Sequence, residues 1–201
     1  MNQDFLRFDD EAARFRLILL HGWGADATDL IPLGQEIIKA LEPSVELIAL
    51  QAPQAHPEGN GRQWYGLFPP NWDAVPSAIS DLQDRIRALE TKEISLKETI
   101  LLGFSQGGAM AIAAGCELSL AGIIACSSYP HPGWVMKNYR PKVLLTHGTK
   151  DEIVPFQASE NLLIELQKNN KYSDLFLFNE GHEIPNEALR KIIFVLRQWL
   201  I

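Results

Sequence analysis

Two hydrophobic rhythms alternate along this chain. Short unbroken apolar runs mark strands, and apolar residues three and four apart mark helices. Residues 4–8 and 14–20 predict the first two strands, the second reading Arg14-Phe15-Arg16-Leu17-Ile18-Leu19-Leu20. His21 to Thr28 is a glycine-containing loop. Asp29 to Leu41 then sets Leu30, Leu33, Ile37, Ile38 and Leu41 on one face, which predicts a helix. Val45 to Leu50 predicts a buried strand, and Gln51 to Asp73 a long loop rich in proline and glycine. Val75, Ala78, Ile79, Leu82, Ile86 and Leu89 mark an amphipathic helix with a charged opposite face. Thr99 to Gly103 predicts a strand and Ala109 to Gly115 a helix. Leu120 to Cys126 and Val143 to Thr146 predict two further strands, Phe156 to Lys168 a helix, and Leu175 to Phe178 another strand. Leu189, Ile192, Ile193, Leu196 and Leu200 define a final helix. Short strands without polar alternation, separated by helices, imply a mostly parallel sheet covered on both faces. No repeat, linker or low-complexity tract interrupts the pattern, so residues 1–201 read as one α/β domain.

Charge and composition then exclude several classes. The net charge of -7 argues against nucleic acid, which needs a basic face. No apolar run reaches the roughly 18 residues of a membrane span. Met1 to Phe5 shows no basic segment followed by an apolar one, so no signal peptide is expected. Two lone cysteines, Cys116 and Cys126, suggest buried thiols in a reducing, cytoplasmic compartment. No histidine–carboxylate cluster has metal spacing, so no metal is expected.

The candidate chemistry starts at Leu101-Leu102-Gly103-Phe104-Ser105-Gln106-Gly107-Gly108. An apolar strand running into Gly-x-Ser-x-Gly and then a helix is the nucleophile elbow of an α/β-hydrolase, with Ser105 at its apex. Partners are sought in loops at the carboxyl ends of later strands. Leu144 to Pro155 leaves a strand, turns at Gly148 and delivers Asp151, while Leu175 to Pro185 delivers His182. The order Ser, Asp, His is that of an α/β-hydrolase triad. His182 would act as base, and Asp151 would hold its tautomer and stabilise its cation. Glu152 and Glu180 stand nearby as rival acids. Oxyanion donors are expected from the Gln106 backbone N–H and from His21-Gly22-Trp23-Gly24, chiefly the Trp23 N–H. The Gln106 side chain is not required for this, and His147 is read as structural.

Four segments together resemble the phospholipase/carboxylesterase family, whose members include bacterial carboxylesterases and acyl-protein thioesterases. They are Leu19 to Asp26, Gly103 to Gly108, His147 to Pro155, and Glu180-Gly181-His182-Glu183-Ile184. The resemblance covers nearly the whole chain. It implies a serine esterase or thioesterase without a cofactor, acting on small or lipid-like acyl substrates. It places Ser105, Asp151 and His182 in the family triad, and Trp23 and Gln106 at its oxyanion positions. Trp23 stands where many relatives carry Leu, and an indole there would reshape the acyl pocket. Gly61-Arg62-Gln63-Trp64-Tyr65 is closer to the bacterial esterases than to the eukaryotic depalmitoylating members.

The loop from Gln51 to Asp73 follows a strand and is expected on the reactive side. Its Trp64, Tyr65, Leu67, Phe68 and Trp72 are expected to form a lid or acyl-pocket wall, with Trp134 and Val154 as further wall candidates. Exposed aromatics there would support a weak homodimer. A non-catalytic binding module on the same scaffold, and an acyltransferase using an alcohol in place of water, remain alternatives at this stage.

Overall fold

The unbroken apolar runs become the inner strands of a seven-stranded sheet. A computed structural model describes residues 4–8, 12–42, 44–136, 141–168 and 172–200. The strands in chain order are β1 (Phe5–Phe8), β2 (Phe15–Leu20), β3 (Val45–Leu50), β4 (Gln54–Ala55), β5 (Arg62–Gln63), β6 (Thr99–Phe104), β7 (Gly122–Cys126), β8 (Lys142–Gly148) and β9 (Ser173–Phe178). The large sheet runs β1-β3-β2-β6-β7-β8-β9, and β4 pairs with β5 in a separate hairpin. Only β1 is antiparallel to its neighbour; every other adjacent pair in the large sheet is parallel.

Among the described residues, five α-helices cover the two faces: α1 (Ile31–Lys39), α2 (Val75–Arg87), α3 (Gln106–Gly115), α4 (Gln157–Gln167) and α5 (Asn186–Trp199). Successive strand residues point to opposite faces. Leu17 and Leu19 of β2 therefore join Leu47, Ile37 of α1 and Ile192 and Leu196 of α5 in one core. Ile18 and Leu20 join Leu82 of α2, Ala111 of α3 and Leu162 of α4 in the other. All ten residues of α3 are buried, which explains why its sequence, Gln106 to Gly115, lacks a polar face.

The observed limits differ from the apolar runs at several ends. Strand β8 extends to Lys142 and Gly148, and β9 begins at Ser173, because ladder pairing is made by the backbone and tolerates polar side chains. Thus Val143 faces Ser173 and Leu144 faces Asp174 in register. Strand β7 starts at Gly122, after Leu120 and Ala121, while α3 begins directly after Ser105. The segment from Gln51 to Asp73 is more ordered than a plain loop. The β4–β5 hairpin occupies part of it, and His56 N–H donates to Gly61 O at 2.8 Å.

The winding places the site. From β2 the chain steps outward to β3, then returns to lay β6 on the other side of β2 and continues through β7, β8 and β9. The direction reverses between β2 and β6, and ligand crevices in open parallel sheets form at such switch points, beyond the strand carboxyl ends. The loops after β2, β6, β8 and β9 carry Trp23, Ser105, Asp151 and His182.

Candidate active site

Ser105 sits between β6 and α3 with φ 53° and ψ -117°, a conformation that side-chain-bearing residues rarely adopt. It is over-determined by its surroundings. Its N–H donates to Cys126 O at 2.8 Å, and its carbonyl accepts the Ala109 N–H at 3.0 Å. The flanking glycines are required by close backbone approach. A Cβ on Gly107 would lie 2.1 Å from Leu20 O, and one on Gly103 would lie 2.2 Å from Gly107 O. Strands β2 and β6 and the start of α3 therefore touch backbone to backbone, and the serine stands at the positive end of a fully buried helix.

Asp151 and His182 are joined by two zipped loops. Thr149 N–H donates to Phe178 O at 2.7 Å and Lys150 N–H to Glu180 O at 3.0 Å. A Cβ on Gly148 would lie 2.3 Å from Glu180 O and Gly181 O, so this turn too needs glycine. His182 Nδ1 lies 2.6 Å from Asp151 Oδ2. Asp151 Oδ1 accepts the N–H groups of Ile153 at 2.9 Å and Val154 at 2.8 Å. Burial pushes this carboxyl upward, but the Val154 N–H, His182 and the Ile153 N–H outweigh it and hold Asp151 below the usual carboxylate range. Glu152 and Glu180 make no such contact with His182 among the described residues.

Ser105 and His182 line one cavity of about 650 Å³, without a direct hydrogen bond between them among the described residues. Catalytic hydrogen bonds are often long before substrate binds. The His182 ring lies against Phe104, with centroids 4.8 Å apart. A smaller cleft of about 300 Å³ shares His182, Phe104 and Asp29 with that cavity and adds Leu30, Leu33, Glu183 and Ile184. The imidazole therefore borders two spaces.

The loop after β2 is braced from several sides. His21 Nε2 accepts the Ala52 N–H at 3.1 Å, so its Nδ1 carries the hydrogen and donates to Gly22 O at 2.8 Å. Burial holds this ring below its ordinary pKa, which suits a neutral brace. Gly24 N–H donates to Arg62 O at 2.9 Å, and the Trp23 indole N–H donates to Gln63 Oε1 at 3.0 Å. Among the described residues, neither the Trp23 nor the Gln106 backbone N–H donates to a protein acceptor. The Gln106 side chain has a clear role: its Oε1 accepts the Trp64 N–H at 3.0 Å and its Nε2 donates to Tyr65 O at 2.8 Å. It ties the long loop to the helix start.

That tie divides the expected wall residues. Trp23, Leu67, Phe68 and Val154 line the cavity, together with Phe104, Tyr129, Ile153 and Ala158, which the sequence reading did not single out. Trp64 and Tyr65 do not line it. They are 1% and 0% exposed and belong to the core under the sheet. The reason is polar as well as apolar: the Trp64 indole N–H donates to His21 O at 2.9 Å, and the Tyr65 hydroxyl lies 2.8 Å from that of Tyr129. Trp72 and Trp134 line a different cavity, of about 450 Å³, which Ser105 and His182 do not border. Among the described residues, no cluster of three or more His, Cys, Asp or Glu could hold a metal ion, and no helix is long and apolar enough to cross a membrane.

Comparison with known proteins bears on the family and the fold. The sequence profile described as "Phospholipase/Carboxylesterase" matches residues 4–200. The crystal structure of esterase PE8 superposes with a TM-score of 0.88 and 31% identity, covering 98% of this chain and 97% of that one. An acyl-protein thioesterase 1 of Yarrowia lipolytica is 26% identical over 164 residues, 70% of each chain. A probable carboxylesterase, SOBER1-like, of Arabidopsis thaliana is 27% identical over 222 residues, covering 97% of this chain and 81% of that protein.

Proposed function

The chain belongs to the phospholipase/carboxylesterase family, and from that premise we propose that it is a serine hydrolase using Ser105, His182 and Asp151 to cleave apolar acyl esters and thioesters. The observation that carries the proposal is the strained Ser105 turn sharing one apolar cavity with an Asp151-bonded His182.

The steps follow from proton chemistry. A serine hydroxyl is too weakly acidic to attack a carbonyl alone. His182 Nε2 takes the Ser105 proton as Oγ bonds to the acyl carbon. The carbonyl oxygen becomes an oxyanion facing the Trp23 and Gln106 N–H groups, each typically worth about 2.7–4 kcal/mol to such a step. Asp151 stays ionised and stabilises the imidazolium. His182 then protonates the departing alcohol or thiol, leaving an acyl group on Ser105. Water enters, gives a proton to His182 and attacks the acyl carbon. His182 returns that proton to Ser105 Oγ, and the free acid leaves.

The two spaces beside His182 suit the two halves of a substrate. The larger cavity, walled by Trp23, Leu67, Phe68, Phe104, Ile153 and Val154, takes the acyl chain. The smaller cleft takes the leaving group, within reach of the imidazole that must protonate it. Each methylene buried in the larger cavity contributes up to about 0.8 kcal/mol, roughly fourfold in binding. The test is kcat/KM for p-nitrophenyl esters from acetate to octanoate. A rise with chain length until the cavity is full is expected; a flat series would overturn the placement.

A further inference from the structure

One buried imidazole has no part in the steps above. His147 is 0% exposed, near the carboxyl end of β8 and four residues before Asp151. Its Nε2 lies 2.8 Å from Val154 O and 3.2 Å from Asp151 Oδ2. Its Nδ1 lies 2.7 Å from Ser159 Oγ on α4.

These neighbours determine the tautomer. A carbonyl and an ionised carboxylate can only accept, so Nε2 carries the hydrogen. Nδ1 is then an acceptor, and the Ser159 hydroxyl donates to it. That hydroxyl has a single hydrogen and also lies 3.4 Å from Ser128 O, so the shorter contact takes it. Burial holds the ring below the ordinary imidazole range and hence neutral. The charged or titratable groups that face it are Asp151 and, across that carboxylate, His182.

Asp151 is consequently held from four directions. Two backbone N–H groups donate to Oδ1, His182 Nδ1 donates to Oδ2, and His147 Nε2 lies 3.2 Å from that same oxygen. Three hydrogen bonds and the adjacent His147 Nε2–H occupy the surroundings of this carboxylate and oppose rotation of its plane. Without His147, the oxygen that orients His182 would be held by His182 alone. The Nε2–H donates to the Val154 carbonyl, closing the loop that delivers Asp151, and this holds the same N–H edge 3.2 Å from Oδ2.

We infer that His147 is a positioning residue of the active site: its Nε2–H fixes the Asp151 oxygen that orients His182 and shares that oxygen's charge. The inference rests on the assignment of Ser105, His182 and Asp151 to catalysis. Nothing about His147 touches substrate, since it lies behind the carboxylate and does not line the cavity.

The test compares pH profiles of kcat/KM for wild type, His147→Phe and His147→Gln. Phenylalanine keeps a ring and deletes the donor; glutamine offers an amide N–H near the Nε2 position. With the donor gone, Oδ2 gives more of its charge to the His182 cation, and the base is protonated at higher pH. The acid limb of the His147→Phe profile is expected to move up by roughly half a pH unit. Its plateau should fall on the order of 10- to 100-fold. His147→Gln should bring limb and plateau back towards wild type. An acid limb unmoved in both variants overturns the inference, because lost packing alone would lower the plateau without shifting it. If His147→Phe does not fold, 15N spectra of the wild-type imidazoles decide: Nε2-protonated His147 is expected, and an Nδ1-protonated ring would have no hydrogen for Asp151. Ser105→Ala and His182→Ala are assayed alongside. Activity surviving in them would sink the catalytic assignment; their inactivity beside an unshifted His147→Phe would sink only the role of His147.

Discussion

Replacing Asp151 by asparagine exchanges one oxygen for an NH2 group, and the surrounding donors decide which. The Ile153 and Val154 N–H groups, at 2.9 and 2.8 Å, demand an oxygen at the Oδ1 position. The NH2 group must then occupy the Oδ2 position, 2.6 Å from His182 Nδ1. Two donors cannot face each other, so His182 gives up its Nδ1 hydrogen and carries the proton on Nε2. That nitrogen then has no lone pair for the Ser105 proton. In serine proteases the equivalent tautomer error lowers kcat about 10⁴-fold, which is roughly 5 kcal/mol of barrier. A loss of that order is expected here for Asp151→Asn with p-nitrophenyl butyrate at pH 8. KM should change little, because Asp151 does not line the cavity. Circular dichroism would confirm the retained fold. A folded Asp151→Asn variant with kcat within tenfold of wild type would refute the reasoning.

Two further outcomes concern stability. Burial pushes the His131 imidazole down to about 4, against about 6.5 in an unfolded chain. Below about pH 6.5 the unfolded chain binds a proton that the folded one refuses, so this residue's contribution is present above that pH and is lost as pH falls towards 4, by roughly 3 kcal/mol. His21 and His147, also held low by burial, act in the same direction. Tm should therefore drop between pH 7 and pH 4.5, and an unchanged Tm would contradict it. Within the long loop, Trp64→Ala should cost about 3–5 kcal/mol of stability as a fully buried aromatic. Phe68, 68% exposed at the cavity mouth, should change stability by less than about 0.5 kcal/mol on conversion to alanine. Phe68→Ala should instead weaken the preference for longer acyl chains. Denaturant titration and the ester series check both, and equal destabilisation by the two variants would count against the division of the loop.

How far the sequence could be read depended on the kind of constraint. Each inner strand is buried on both faces, so Leu17 to Leu20 and Ile100 to Leu102 announce themselves by composition alone. The glycines around Ser105 were legible because a backbone clash at 2.1 Å leaves no alternative residue. The wall of the cavity was harder. Aromatic residues in a loop carry no periodicity, so Trp64 and Phe68 looked alike, although one is a core anchor and the other faces solvent. What separates them is the Gln106 amide, 42 residues away from Trp64 in sequence. Phe104 and Ile153 line the cavity from beside Ser105 and Asp151, and nothing in their spacing marks them as wall. His147 reads as structural in the sequence, since it occupies a His-Gly turn like that of His21; its approach to Asp151 depends on how the turn at Gly148 folds back.

The assignment of Ser105 as an activated nucleophile can be put to a single covalent measurement. A fluorophosphonate reacts with a serine only when an adjacent base removes its proton. Wild-type protein, treated at pH 8 and digested, should carry the adduct on the peptide containing Ser105, and His182→Ala should carry almost none. An adduct on a different residue, or equal labelling of Ser105 with His182 removed, would contradict it.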